Sequence, residues 1–438
     1  MAPRRVLLIA YAFPPAGGAG VQRITKFVKY LPQHGWLASV LTVENPSVPV
    51  FDSSLARDVP SDTVVERAIT WEPGYGVKAA ILPGAEAAGA GRQVVDRLKA
   101  LARGVAKAAL QPDPQILWVP QAIRVGRRLL AETRHAAVMA TAPPFSSFLA
   151  GVALARRARL PLVLDYRDEW ALNSRYEENR QQGSVLAGLN NRIQKATVRA
   201  ARAVIATTRG SAAALERVCR EASSAARVVH IYNGFDPDDF VEPTDPEPRT
   251  SSYRLVYAGT LWKLTTCQPL VQAALELSSR SPELAARLEL VFAGRRVRSE
   301  EALLARLGGK GLKLTLHPYL DHSQALMMLR TASCNCLLQA DLPGSERVVS
   351  AKLFEYLAAR RSILAVAPRG EVWDLLADHP QAHCFEPGDV QGIVGWLAGE
   401  LGRYRAGGAS PAAQGDLMLF SRPHQAGELA ELLDSVSG

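Results

Sequence analysis

An apolar run that begins at Val6 ends in Ala12-Phe-Pro-Pro-Ala-Gly-Gly-Ala-Gly-Val21. Gly17, Gly18 and Gly20 let the backbone come close to a ligand, and the helix expected after them offers free N–H groups to an anion. A phosphate or a sugar fits such a loop; a plain tight turn is the alternative. A dinucleotide fingerprint needs a further glycine near position 23, where Arg23 stands, and NAD is disfavoured. Asp165-Tyr-Arg-Asp-Glu-Trp170 follows the apolar run Leu160–Leu164. So many ionisable groups are costly beside a core unless they have a task. Asp168 can orient or deprotonate a hydroxyl, and Arg167 can pair with a phosphate or hold that carboxylate. An internal Arg–Asp pair that steadies the loop explains the same residues. Thr141-Ala-Pro-Pro-Phe-Ser-Ser147 has Ser146 or Ser147 placed to cap a helix, as a binding loop or a rigid connection.

The second half carries its own set. In Tyr257-Ala-Gly-Thr-Leu-Trp-Lys263, Gly259 and Lys263 suit a diphosphate approached by backbone and ammonium, or Lys263 is an ordinary surface lysine. Ser350–Ala358 reads as the start of a helix with Lys352 and Glu355 on one side, where a carboxylate can take both hydroxyls of a ribose. An intrahelical Lys–Glu pair of ~0.2–0.5 kcal/mol is the alternative. Asp236-Pro-Asp238 has the spacing of a metal-binding pair but no ligand set around it, and it reads as a structural cap. The eight histidines show no HxH or HExxH spacing, so no metal is assigned.

These loops need a scaffold, and apolar runs alternating with helix-period segments supply one: helices on parallel sheets. Strands are expected near Val6–Ala12, Ala38–Val43, Ala137–Thr141, Leu160–Asp165, Ala203–Thr208 and Val228–Tyr232. A second series lies near Arg254–Ala258, Leu288–Ala293, Leu312–Leu316, Asn335–Leu338, Ser362–Val366 and His383–Phe385. Several are continuous Val/Ile/Leu runs, as in strands covered on both faces. The expectation is α/β: two facing Rossmann-like doubly wound domains, residues 1–241 and 253–419, with a cleft between them. The polar, proline-rich 242–252 segment is the linker, and residues 420–438 form a closing helix on the first domain.

The chain has 438 residues with a formal charge of +9. Residues 1–240 hold 31 Lys/Arg against 20 Asp/Glu, a surplus of +11, so the first half is the one expected to meet an anion. Between Arg92 and Leu110, Arg92, Lys99, Arg103 and Lys107 fall opposite Val94, Leu98, Leu101 and Val105. That pattern suits an anionic membrane surface or a core-packed helix with a solvated basic face. No aromatic interleaving or nucleic-acid motif accompanies it. Five cysteines without CxxC pairing and no run of about 18 apolar residues suggest a reduced, cytoplasmic protein, peripheral at most to the inner membrane face.

In this order and spacing the motifs resemble one family, the GT-B-fold enzymes of glycosyltransferase family 4. The resemblance is carried by Phe13-Pro-Pro-Ala-Gly-Gly-Ala-Gly-Val-Gln-Arg23, Ala142-Pro-Pro-Phe-Ser-Ser147, Asp165–Trp170, Tyr232-Asn-Gly-Phe-Asp236, Tyr257-Ala-Gly-Thr260 and Lys352-Leu-Phe-Glu-Tyr-Leu357. It implies a retaining, metal-independent transferase with no cofactor. A sugar would pass from a nucleotide-diphosphate donor to a glycan, lipid-linked or small-molecule acceptor. It also implies a donor side of Gly18, Gly20, Gly259, Thr260, Lys263, Glu346, Arg347, Lys352 and Glu355. The acceptor side would hold Gly17, Ser146, Arg167 and Asp168, with Asp168 and Lys263 catalytic. Two positions depart from the family pattern: Arg347 stands where the first acid of Glu-x7-Glu is expected, with Glu346 beside it, and Gly259–Thr260 replaces a frequent Gly-Arg. A nucleotide-sugar epimerase and a non-catalytic glycan-assembly partner are the alternatives.

Overall fold

The computed structural model describes residues 3–48, 50–72, 110–172, 184–241, 252–406 and 417–438. The basic stretch 92–110 and the polar segment 242–252 fall outside the described residues, but for the last residue of each. The chain divides into two compact units. The first comprises residues 1–207, 211–231 and 426–438; the second comprises 208–210 and 232–425.

The first unit holds a parallel sheet of strands β1 (Arg4–Ile9), β2 (Trp36–Val43), β3 (Val64–Ala68), β4 (Ala137–Ala142), β5 (Leu162–Tyr166), β6 (Ala203–Ala206) and β7 (Arg227–His230). Their order is β3-β2-β1-β4-β5-β6-β7, so the winding reverses between β1 and β4. Side chains that alternate along β1 explain why it reads as one apolar run. Leu7 and Ile9 join one core with Leu41, Val138, Leu154 and Leu164. Val6 and Leu8 join a second core, on the other face, with Ile24, Phe27, Trp36 and Val40. The helix Ala19–Tyr30 buries Val21, Ile24, Phe27 and Val28. It also buries Lys26, whose ammonium meets Asp58 at 2.8 Å. The last helix, Arg422–Ser437, places Leu429, Leu432 and Leu433 in that same second core. Each leucine so buried contributes about 1.5–3 kcal/mol.

The second unit repeats the plan with β8 (Tyr253–Ala258), β9 (Leu288–Ala293), β10 (Lys313–His317), β11 (Cys334–Leu338), β12 (Ser362–Val366) and β13 (Ala382–Phe385). The order β10-β9-β8-β11-β12-β13 reverses between β8 and β11. Leu255, Tyr257, Leu290 and Phe292 face one core, while Val256, Val291 and Ala293 face the helix Lys352–Ala358 through Leu353, Phe354 and Leu357. Both units are thus doubly wound α/β folds, in which ligands bind at the carboxyl ends of the strands beside the reversal.

Candidate functional site

In the first unit, the loops after β1, β4 and β5 converge. Gly18 has φ 110, a left-handed conformation that favours glycine, and a Cβ at Gly20 would overlap the Arg167 guanidinium. Arg167, leaving the end of β5, donates to the carbonyls of Ala142 (3.4 Å) and Pro143 at the end of β4. The glycine loop, the proline loop and Arg167 therefore meet at the reversal of this sheet. Asp168 is exposed next to them, Gly17 is partly buried, and Ser146 is fully buried. Ser146 opens the helix Ser146–Ala158, and its backbone N–H donates to Asp113 Oδ2 at 3.0 Å. Burial pushes the Asp113 carboxyl above its ordinary value, and the hydrogen bonds from Ser146 oppose that shift.

Beneath these loops lies a charge pair with 0% exposure on both sides: Arg23 Nη2 to Asp165 Oδ1, 3.0 Å. Thr141 donates to the other oxygen of Asp165 at 2.8 Å, and Arg23 also donates to the Ile231 carbonyl at 3.1 Å. Arg23 thus fills the space after the glycine loop and ties the first helix to the ends of β4 and β5. Asp165 of the Asp165–Trp170 motif is paired with an arginine, but that arginine, Arg23, comes from the helix after β1 and not from the motif.

In the second unit, the end of β8 and the helix Lys352–Ala358 close on each other. Gly259 has φ 145, and a Cβ there would overlap the Lys352 ammonium. Lys352 Nζ donates to Tyr257 Oη at 3.1 Å and lies 4.8 Å from the centre of that ring. Tyr257 Oη in turn donates to the Thr260 carbonyl at 2.9 Å. A bare glycine backbone, a fixed ammonium and the following loop are parts that can take an anion such as a diphosphate. Lys263 is exposed further along that loop. Glu355, one turn beyond Lys352, meets His322 Nε2 at 3.1 Å. Glu346 pairs with Arg347 at 2.8 Å, after the end of β11.

Glu371 accepts from the N–H groups of Arg209 (2.6 Å) and Gly210 (2.9 Å) and from Tyr232 Oη (2.7 Å). Burial, reinforced by the Glu371 carboxylate, raises the Tyr232 pKa above its ordinary value. These groups and Glu346 line a cavity of 680 Å³. Asp236 caps the short turn Pro237–Phe240, accepting from the Asp238 N–H at 3.0 Å. Among the described residues, no group of three or more His, Cys, Asp or Glu side chains is arranged to hold a metal ion.

The sequence reading named Lys352, Glu355 and Gly259 but not their partners. Tyr257 carried a signal, as the residue that opens its motif; His322 carried none.

Two doubly wound parallel sheets, each with charged loops at the carboxyl edge of its reversal, define a GT-B-type α/β enzyme. Residues 17–239 match the family model described as Glycosyltransferase Family 4, and the chain belongs to that family: it is a glycosyltransferase. No curated protein matches the chain. The fold is similar to that of HepE from Anabaena, solved with UDP and glucose (15% identity, 99% of this chain and 100% of that one, TM-score 0.61). It is similar as well to sucrose-phosphate synthase from Thermosynechococcus elongatus (13% identity, 99% and 96%, TM-score 0.57). A third similar structure is a putative UDP-N-acetylglucosamine 2-epimerase from Listeria monocytogenes (12% identity, 99% and 96%, TM-score 0.56).

Proposed function

We propose that this glycosyltransferase is retaining and metal-independent. It takes a sugar from a nucleotide-diphosphate donor held by the second unit and transfers it to a glycan, a lipid-linked sugar or a small molecule. The observation that carries the reading is the Gly259–Lys352–Tyr257 arrangement with Glu355 one turn further on. The ammonium meets charge that builds on the departing diphosphate, and the carboxylate meets the ribose hydroxyls. Lys263 adds a second cation, and Glu346 and Arg347 meet the donor sugar. In the first unit, Arg167 and Asp168 orient the acceptor hydroxyl. The hydroxyl O–H and the anomeric C–O bond to phosphate break, a new anomeric C–O bond forms on the same face, and the nucleoside diphosphate leaves with the hydroxyl proton on its departing oxygen.

A thermal-shift screen against UDP-, GDP-, ADP- and TDP-sugars tests the donor class. A donor at about 100 times its Kd raises stability by about 2.7 kcal/mol. Glu355→Ala and Lys263→Ala should abolish transfer and leave the fold intact; full activity in both would overturn the reading. The similarity to the epimerase fold supports a second reading. Incubation with the donor and no acceptor separates the two, because epimerisation changes the sugar whereas a transferase leaves it or hydrolyses it slowly.

The basic 92–110 sequence supports peripheral contact with the inner face of a membrane. No helix among the described residues is long and apolar enough to cross one. Co-sedimentation with liposomes should rise with anionic lipid and fall with salt. No binding at low salt would end that proposal.

A further inference from the structure

His322 lies between two carboxylates. Its Nε2 is 3.1 Å from Glu355 Oε1, and its Nδ1 is 4.0 Å from Asp239 Oδ2. The three side chains are 8%, 18% and 10% exposed, so little water competes for these contacts. The surroundings fix the backbone on both sides of the pair. His322 is the first residue of the helix His322–Arg330, whose start is fixed by a capping box in which Asp321 accepts from the Gln324 N–H and Gln324 reaches back. Asp239 sits in the turn capped by Asp236, and its own N–H donates to the Asp236 carbonyl at 3.1 Å. The far end of the histidine helix is tied to that turn too, with the Arg330 guanidinium 6.0 Å from the Phe240 ring centre.

We propose that His322 is a positioning residue for Glu355: held by Asp239, it engages one oxygen of the Glu355 carboxylate and turns the other toward the ribose hydroxyls of the donor. This rests on the reading that the donor ribose sits at Glu355. A glutamate side chain has three rotatable bonds, and an isolated one loses side-chain entropy each time it is ordered on a ligand. Ordering it in advance puts that loss into folding, so binding no longer bears it. Nε2 is within hydrogen-bond reach of Glu355, while Asp239, 4.0 Å from Nδ1, acts on the ring as a nearby charge rather than as a hydrogen-bond acceptor. Charged groups against it are Glu355 from its helix and Asp239 from its turn.

The experiment is calorimetric titration of the full chain with UDP, GDP and ADP, and with the donor sugar that the wild type turns over. His322→Leu should weaken nucleoside-diphosphate binding by about tenfold, the size of one lost charged hydrogen bond. His322→Gln, which keeps an N–H donor near the Nε2 position, should recover most of the affinity. In steady-state transfer the loss should fall on donor KM, with kcat changed by less than about twofold. Circular dichroism checks that each variant is folded, and His322→Gln carries the test if the leucine variant is not. Glu355→Gln reports on the underlying reading. If Glu355→Gln loses affinity while His322→Leu binds as the wild type does, the positioning role is wrong and the ribose reading stands. If Glu355→Gln binds unchanged, or the wild type binds no nucleoside diphosphate, the ribose reading is wrong and this proposal falls with it.

Discussion

Arg23 and Asp165 form the interaction in the first unit whose removal should cost most. Both side chains have 0% exposure, with Nη2–Oδ1 at 3.0 Å and Nε within 3.4 Å of both carboxylate oxygens. In Arg23→Met, Asp165 keeps only the Thr141 hydroxyl among these partners; in Asp165→Leu, Arg23 keeps the Ile231 carbonyl. A buried charge left without its counter-ion costs about 3–5 kcal/mol. In a folding unit of this size each kcal/mol lowers the midpoint by about 2–4 °C, so each single change should lower it by about 6–20 °C. The double variant Arg23→Met/Asp165→Leu carries no orphan charge. What it loses is the partners of Thr141 and Ile231, at about 1–3 kcal/mol for each group left unsatisfied. Its cost should therefore fall well short of the sum of the singles. Differential scanning calorimetry on the four proteins, following the transition of the first unit, completes the cycle. Single losses below about 1 kcal/mol, or a double loss equal to the sum, would refute the reasoning.

Three further outcomes are expected. Gly20→Ala should displace Arg167 and lower kcat/KM by at least about tenfold with a stability change below about 1 kcal/mol, and combining it with Arg167→Ala should add little further loss. Gly259→Ala forces a non-glycine residue to φ 145 and pushes Lys352 off Tyr257; it should cost about 1–3 kcal/mol and remove the donor-induced thermal shift, as Lys352→Met should at smaller cost in stability. Burial pushes the Tyr11 pKa from 10.0 to about 12, which disfavours its charged form in the folded state. Stability from Tyr11 is therefore full below pH 10 and is lost as pH rises through about 12; Tyr11→Phe should flatten that limb in urea melts, with ultraviolet titration following the phenol.

Strands buried on both faces announce themselves, which is why the continuous runs at Val6, Leu288 and Ser362 fix their elements in the sequence to within three residues. β3 escaped because Val64-Val-Glu-Arg-Ala68 is a half-exposed edge strand, and its charged residues break the apolar run. The loops of the site were legible where glycine and charge coincide, as at Gly20 with Arg167 and Gly259 with Lys352. Pairings across long stretches of sequence were not. Nothing in the spacing joins Arg23 to Asp165, or His322 to Glu355, because those contacts exist only once the strands have taken their non-sequential order. In the sequence Arg23 is a departure from a dinucleotide fingerprint; its pairing with Asp165 needed the fold.

The final helix also has a consequence for how the chain is made. Val6, Leu8, Ile24, Phe27 and Trp36 are synthesised roughly 400 residues before the side chains that complete their core, Leu429, Leu432 and Leu433. Until those leucines emerge, that face of the nascent first unit stays open, the kind of surface that chaperones hold and aggregating neighbours find. Residues 1–231 expressed alone inherit the same exposed face for good, unless residues 426–438 are supplied with them.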